Sequence, residues 1–335
     1  MLINGTRWYD TANNEIHAHG GFMLEFGEYY YWYGEDRTDN NFVSCYRTKD
    51  FKTWEFRNHI FTADSVAVKI NETNDLSLKR AEESFDVNVE RLGLTRYDAN
   101  GLIIANIERP KVVYNSKTQK FVMWMHYENG HDYDDARCAI ATCDTPDGDF
   151  VYHGSFRPLD HESRDCTLHE FEGKMYFVAA CNANLDLIAY ELEEDYLNIT
   201  GKTIVMFPGK KREAPAFFNK DGKVYVLSSG CTGWRPNQCK FSKSDNMENW
   251  EELKEIGDEI TYHSQPAFVF YSKKDNKYYY FGDRWGNSSN EYFNATYVVL
   301  EIQFDENDNP VLEYNECVTI SGELLRLTGL ELSKV

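Results

Sequence analysis

The chain has 335 residues, with 35 basic against 55 acidic side chains and a net charge of -20. That balance excludes nucleic acid and other polyanions as partners, because phosphate binding rests on Lys and Arg neutralising backbone charge. No apolar run approaches transmembrane length, and Met1-Leu-Ile-Asn-Gly-Thr-Arg-Trp is no signal peptide, so no membrane span is expected and a cytoplasmic location is.

Eight cysteines fall singly along the chain without a Cys-x-x-Cys pair, which predicts reduced thiols and no zinc site. Aromatic residues make up 15%, with 23 Tyr and 21 Phe. Such a composition favours strands and supplies surfaces on which a sugar can stack.

In chain order, one short phrase recurs five times: a polar residue, a few apolar residues, a turn, then a Tyr/Phe-rich strand. It opens at His19, Glu108, Asp165, Glu213 and Gln265 and runs into aromatic strands starting near Glu28, Lys120, Lys174, Lys223 and Lys277. The period is roughly fifty residues once a single insertion, about 62–104, is allowed. Within that insertion the segment 78–85 (Leu-Lys-Arg-Ala-Glu-Glu-Ser-Phe) predicts a short helix. Later echoes, such as Ser44 to Trp54, Cys138 to Phe150 and Cys239 to Trp250, read as third and fourth strands. Four short strands per unit, five times over, predict an all-β chain folded as one five-bladed β-propeller over 1–335, with no separate carbohydrate-binding module. A stacked solenoid fits less well, since its openers would have no common meeting point.

In a propeller the openers gather on the axis, and carboxyl groups there suit glycosidic-bond cleavage. One carboxylic acid protonates the leaving oxygen, and in the inverting variant a second group activates water on the opposite sugar face. Glu213, in Arg212-Glu-Ala-Pro, is the candidate acid. Glu108, in Ile107-Glu-Arg-Pro, is placed to raise its pKa by like-charge proximity and to bind a hydroxyl. Taken alone, either Glu-x-Pro is more often a strand-entry device with a solvated carboxylate. His17 and His19 alternate along a strand and make no metal site.

Several segments together resemble glycoside hydrolase family 43, in its exo-β-1,3-galactanase branch. They are Ile16-His-Ala-His-Gly-Gly, Tyr29 to Glu35, Val43 to Tyr46, Thr53-Trp54, Ile107 to Asn115, Met123-Trp-Met-His126, Ser163-Arg-Asp165, Arg212 to Pro215, Thr232 to Asn237, Ser264-Gln265 and Gly282 to Trp285. They span about residues 8–290 in family order. The resemblance implies a five-bladed propeller that releases galactose from the non-reducing end of β-1,3-galactan or its oligosaccharides with inversion. It also implies Glu213 as general acid and Glu108 as the carboxylate that tunes it and meets the substrate. A typical member has an Asp base in the first blade, where this chain has His17-Ala-His19; in the galactanase branch a Gln takes that part, and Gln265 stands there.

Around them, Glu35, Tyr133 and Asp165 are expected to bind the hydroxyls of the terminal sugar. Arg109 is expected to contact sugar or neutralise Glu108. Thr232, Trp234 and Trp285 would complete the substrate contacts, the indoles stacking on a pyranose face or packing between blades. No cofactor or metal is implied, an ion on the axis being left open, and the partner is an oligo- or polysaccharide. Two other readings compete: a family 43 glycosidase for another terminal sugar such as arabinofuranose or galactofuranose, and a carbohydrate-binding propeller with impaired catalysis. Short oligosaccharides rather than insoluble polymer are the expected substrates.

Overall fold

The computed structural model describes residues 1–68, 105–130 and 132–321. Their strands form five four-stranded antiparallel sheets, each built from consecutive strands. Blade 1 comprises His19–Phe26, Tyr29–Glu35, Asn41–Thr48 and Glu55–Thr62. Blade 2 comprises Asn106–Asn115, Lys120–Glu128, Arg137–Cys143 and Val151–Phe156. Blade 3 runs through Cys166–Phe171, Lys174–Cys181, Asp186–Leu192 and Ile199–Met206, and blade 4 through Arg212–Lys220, Lys223–Gly230, Cys239–Ser244 and Lys254–Ile256. Blade 5 is Gln265–Ser272, Lys277–Arg284, Thr296–Phe304 and Pro310–Leu312. The first strands of successive blades adjoin one another in a closed ring, with blade 5 returning to blade 1, so the fold is the five-bladed β-propeller expected from the repeat.

The second strand of every blade is buried on both faces, which explains why these strands read as apolar runs rather than as alternations. Successive side chains point to opposite faces of a strand, so each second strand feeds two inter-blade cores. Tyr31 and Tyr33 pack with Met123 and Met125 between blades 1 and 2, whereas Tyr30 and Trp32 pack with Tyr279 and Phe281 between blades 1 and 5. Val122 and Trp124 meet Phe177 and Ala179; Tyr176 and Val178 meet Val224 and Val226; Tyr225 and Leu227 meet Tyr280. Burying each large apolar side chain contributes about 1.5–3 kcal/mol, so the blades are held chiefly by these five cores.

The ring is sealed by the ends of the described chain. Leu2–Ile3 pairs antiparallel with Cys317–Val318, and Asn4 Nδ2 donates to Val299 O and Asn315 O, both at 2.8 Å. Asn4 Oδ1 in turn accepts from Val299 N at 2.7 Å. Within blade 1, Gly34 passes against the segment leading into the first strand: a Cβ there would lie 2.0 Å from the Ala18 carbonyl carbon. The expected insertion lies mostly outside the described residues, and the helix expected over 78–85 wholly so. At its start, Val68 N donates to Tyr152 O at 2.9 Å and docks on the outer strand of blade 2.

Candidate active site

Four of the five openers sit at or beside a break in their strand's register. Shifts fall between His19 and Phe22, Glu108 and Lys111, Glu213 and Ala216, and Pro266 and Phe268. In three of these the following residue is left-handed: Gly20 (φ 55), Arg109 (φ 52) and Ala214 (φ 51). A non-glycine residue in that region costs about 1–3 kcal/mol. Bulges beside active sites re-aim a side chain out of the ladder, and here they turn Glu108 and Glu213 toward a shared cavity. Lys111, fully buried, anchors this arrangement by donating to Gly20 O and Gly21 O at 2.6 and 3.0 Å; burial draws its pKa down to about 7.

The cavity measures about 280 Å³, at the small end for ligand pockets. Glu35, Glu108, Arg109, Tyr133, Asp165, Glu213, Trp234, Gln265 and Trp285, all anticipated from the sequence, line it. Thr232 does not. Its hydroxyl donates to Arg235 O (2.6 Å) and accepts from Asn237 Nδ2 (2.7 Å), so it shapes the turn that carries Trp234. His19 is also committed elsewhere: it is buried, 3.0 Å from Asp283 Oδ1, and stacked on Tyr297.

Glu213 and Gln265 are directly joined. Gln265 Nε2 donates to Glu213 Oε1 and to Ser229 Oγ, both at 3.0 Å. Its carbonyl oxygen accepts from Arg109 Nη2 (2.5 Å) and Trp285 Nε1 (2.8 Å). A primary amide has two N–H donors and two carbonyl lone pairs, so every position of Gln265 is engaged. Asn184 Nδ2 reaches the other Glu213 oxygen at 3.4 Å. The Glu213 carboxyl is pushed up to about 8, mainly by burial and next by the negative charge of Asp165. It is therefore protonated at neutral pH, as a general acid requires.

Glu108, expected to be the tuning charge for Glu213, has other partners. Burial raises its pKa, but His126, Arg37 and Tyr133 outweigh this and hold it well below the usual carboxylate range. Its Oε1 accepts from Arg37 Nη2 (2.9 Å), Tyr133 Oη (2.9 Å) and Asn106 Nδ2 (2.6 Å). Arg109 turns away from its neighbour Glu108. It pairs with Asp165 (3.2 Å) and donates to Pro266 O (2.7 Å), while its own N–H donates to Glu35 Oε1 (3.1 Å). One side of the cavity thus carries a neutral acid and the other a fixed anion.

Ligand atoms of Glu108, His126 and Asp165 come within 4.8 Å of one another, the one such trio among the described residues. Arg37 already compensates Glu108 and Arg109 compensates Asp165. The two guanidinium groups beside the trio oppose a further positive charge there.

Sequence reasoning missed Arg37, His126 and Asn184 on the cavity wall and Ser229, Asn106 and Glu128 behind it. A signal existed for some of them. Residues facing the openers across the hairpin are polar: Glu35 opposite His19, His126 opposite Glu108, Ser229 opposite Glu213 and Asp283 opposite Gln265. Once the openers are known, hairpin register places these partners at the far end of an otherwise apolar strand.

No protein-family model and no curated protein sequence matches the chain. Solved structures do. An exo-β-1,3-galactanase from Clostridium thermocellum is 39% identical with a TM-score of 0.81, the match covering 96% of this chain and 67% of that one. A family 43 β-1,3-galactosidase solved with galactodeoxynojirimycin is 28% identical (TM-score 0.79), covering 95% and 100%. An exo-β-1,3-galactanase from Phanerochaete chrysosporium solved with β-1,3-galactotriose is 26% identical (TM-score 0.79), covering 96% and 68%.

Proposed function

We propose, since this chain belongs to glycoside hydrolase family 43 in its exo-β-1,3-galactanase branch, that this glycoside hydrolase removes single galactose units from the non-reducing end of β-1,3-linked galacto-oligosaccharides with inversion. The observation that carries the reading is the environment of Glu213, a carboxyl kept protonated by burial and by Asp165 on the wall of a small cavity. Glu213 gives its proton to the glycosidic oxygen as the bond to the anomeric carbon breaks. Asp165 is the tuning charge, and Glu108 with Tyr133 and Glu35 receives the hydroxyls of the terminal sugar.

Gln265 stands for the water-activating group. Arg109 and Trp285 fix the amide by donating to its carbonyl oxygen, so that its nitrogen, once free, orients the attacking water, which passes its proton to solvent as its bond to the anomeric carbon forms. The amide cannot do this while it donates to Glu213. Entry of the glycosidic oxygen at Glu213 is the event that frees it. A second reading has a specific observation in its favour: Glu108 is ionised, two blades away from Glu213 around the axis, and is a far stronger base than an amide.

Proton NMR of the products from β-1,3-galactobiose tests the reaction. α-Galactose appearing first supports inversion; β-galactose first, or no galactose, rules it out. Azide rescue separates the two water-activating groups. Activity restored by azide in Gln265→Ala identifies the amide, and activity restored only in Glu108→Ala identifies the carboxylate.

A further inference from the structure

Glu128 lies outside the cavity wall, at the end of the second strand of blade 2, and is 1% exposed. A carboxylate so deeply buried requires partners. One oxygen stands 2.7 Å from His126 Nε2 and the other accepts from Ala136 N at 2.9 Å. The opposite nitrogen of His126, Nδ1, is buried and makes no hydrogen bond, but it stands 3.2 Å from Glu108 Oε2, within ion-pair distance. Ala136 ends the loop that carries Tyr133, whose hydroxyl donates to the other oxygen of Glu108. These contacts close a circuit: Glu128, His126, Glu108, Tyr133, and back through the loop to Glu128.

We infer that Glu128 is a positioning residue for sugar binding, which acts through His126 on Glu108 and through Ala136 on the Tyr133 loop. The inference rests on the reading of Glu108 and Tyr133 as sugar ligands. An imidazole with a carboxylate against each nitrogen is favoured as the imidazolium, since the neutral ring would turn a lone pair toward one of the two anions. Five groups face it: Glu108 from the first strand, Glu128 on its own strand, Tyr133 from the loop, Asp165 from blade 3, and Arg37 from blade 1 by way of Glu108. Burial lowers the His126 pKa, and the two carboxylates overcome this and raise it to about 9. The ring thereby keeps its positive charge between the two carboxylates through the neutral range, and Glu108 stays a fixed anion.

The test uses Glu128→Gln, which removes the charge and keeps an acceptor for Ala136 N. Imidazole nitrogen NMR should show His126 of the parent holding its proton to about pH 9. In the variant the midpoint should drop by about two pH units. On β-1,3-galactobiose the variant's KM should rise roughly tenfold at pH 8 and return toward the parent value at pH 6, with a smaller change in kcat. A purely structural role for Glu128 would not give a pH-reversible KM. A parent His126 titrating near its ordinary value, or a variant KM equal at the two pH values, overturns the inference. Should the variant fail to fold, the parent's His126 midpoint and its own KM above that midpoint decide. Absence of galactobiose hydrolysis by the parent would sink the substrate reading, and the NMR arm, which needs no substrate, would still decide this one.

Discussion

Gln265 donates its amide N–H to Glu213 across 3.0 Å, so the two groups proposed to act on opposite sides of a glycosidic bond are joined in the free enzyme. Inverting hydrolysis needs about 6.5–9.5 Å between acid and base to admit water. The bond therefore describes a resting state, in which the acid is stored against the amide until a sugar oxygen takes its place.

Glu213→Gln should lower kcat by about 10²- to 10⁴-fold, the range for a general acid, while galactose binding measured by calorimetry changes little. The same variant should gain stability at alkaline pH. Native Glu213 releases its proton near pH 8, whereas the unfolded chain releases it near the ordinary 4.5. Between those values the unfolded state holds fewer protons, so the parent loses stability as pH rises. Thermal scans should show the variant's Tm exceeding the parent's at pH 8 by more than at pH 4.5. Equal gaps at the two values would contradict a raised pKa.

Asp165→Asn removes the charge that, after burial, does most to raise Glu213. The descending limb of the kcat/KM profile, expected near pH 8 in the parent, should move toward acid. An unmoved limb would assign the limb to another group.

Trp285→Phe deletes one of the two donors on the Gln265 carbonyl and keeps an aromatic ring against Trp234 and Tyr292. With a hydrogen bond worth about 1 kcal/mol, kcat should fall about fivefold. A rise in KM alone would mean that the indole serves the sugar and not the amide.

Asn4→Ala breaks three hydrogen bonds of the clasp between the chain ends. Buried groups left unpaired cost about 1–3 kcal/mol, so Tm should drop by several degrees with kcat at 25 °C unchanged. A loss of activity without loss of Tm would tie the clasp to the site instead.

What the sequence determined by itself was periodic. Tyr29, Lys120, Lys174, Lys223 and Lys277 begin second strands within a residue of where the repeat put them, because a strand buried on both faces is an unbroken apolar run between turns. The openers Glu108, Glu213 and Gln265 were legible for the same reason, as polar residues at a fixed phase of that repeat. The partners of those openers had to await the tertiary structure. Arg109 reaches Gln265 and Asp165 instead of neighbouring Glu108 because a left-handed residue and a bulge turn its side chain, and neither leaves a mark in composition. Asp165 and not Glu108 raises Glu213, since pairing with Arg37 and His126 occupies the charge of Glu108. The hydrogen bonds of Thr232 to Arg235 and Asn237 were equally invisible, because a loop hydroxyl turns according to which backbone carbonyl comes within reach. Electrostatic roles fall off over a few ångströms, and closing the ring brings together residues as far apart in sequence as Arg109 and Gln265, or Arg37 and Glu108.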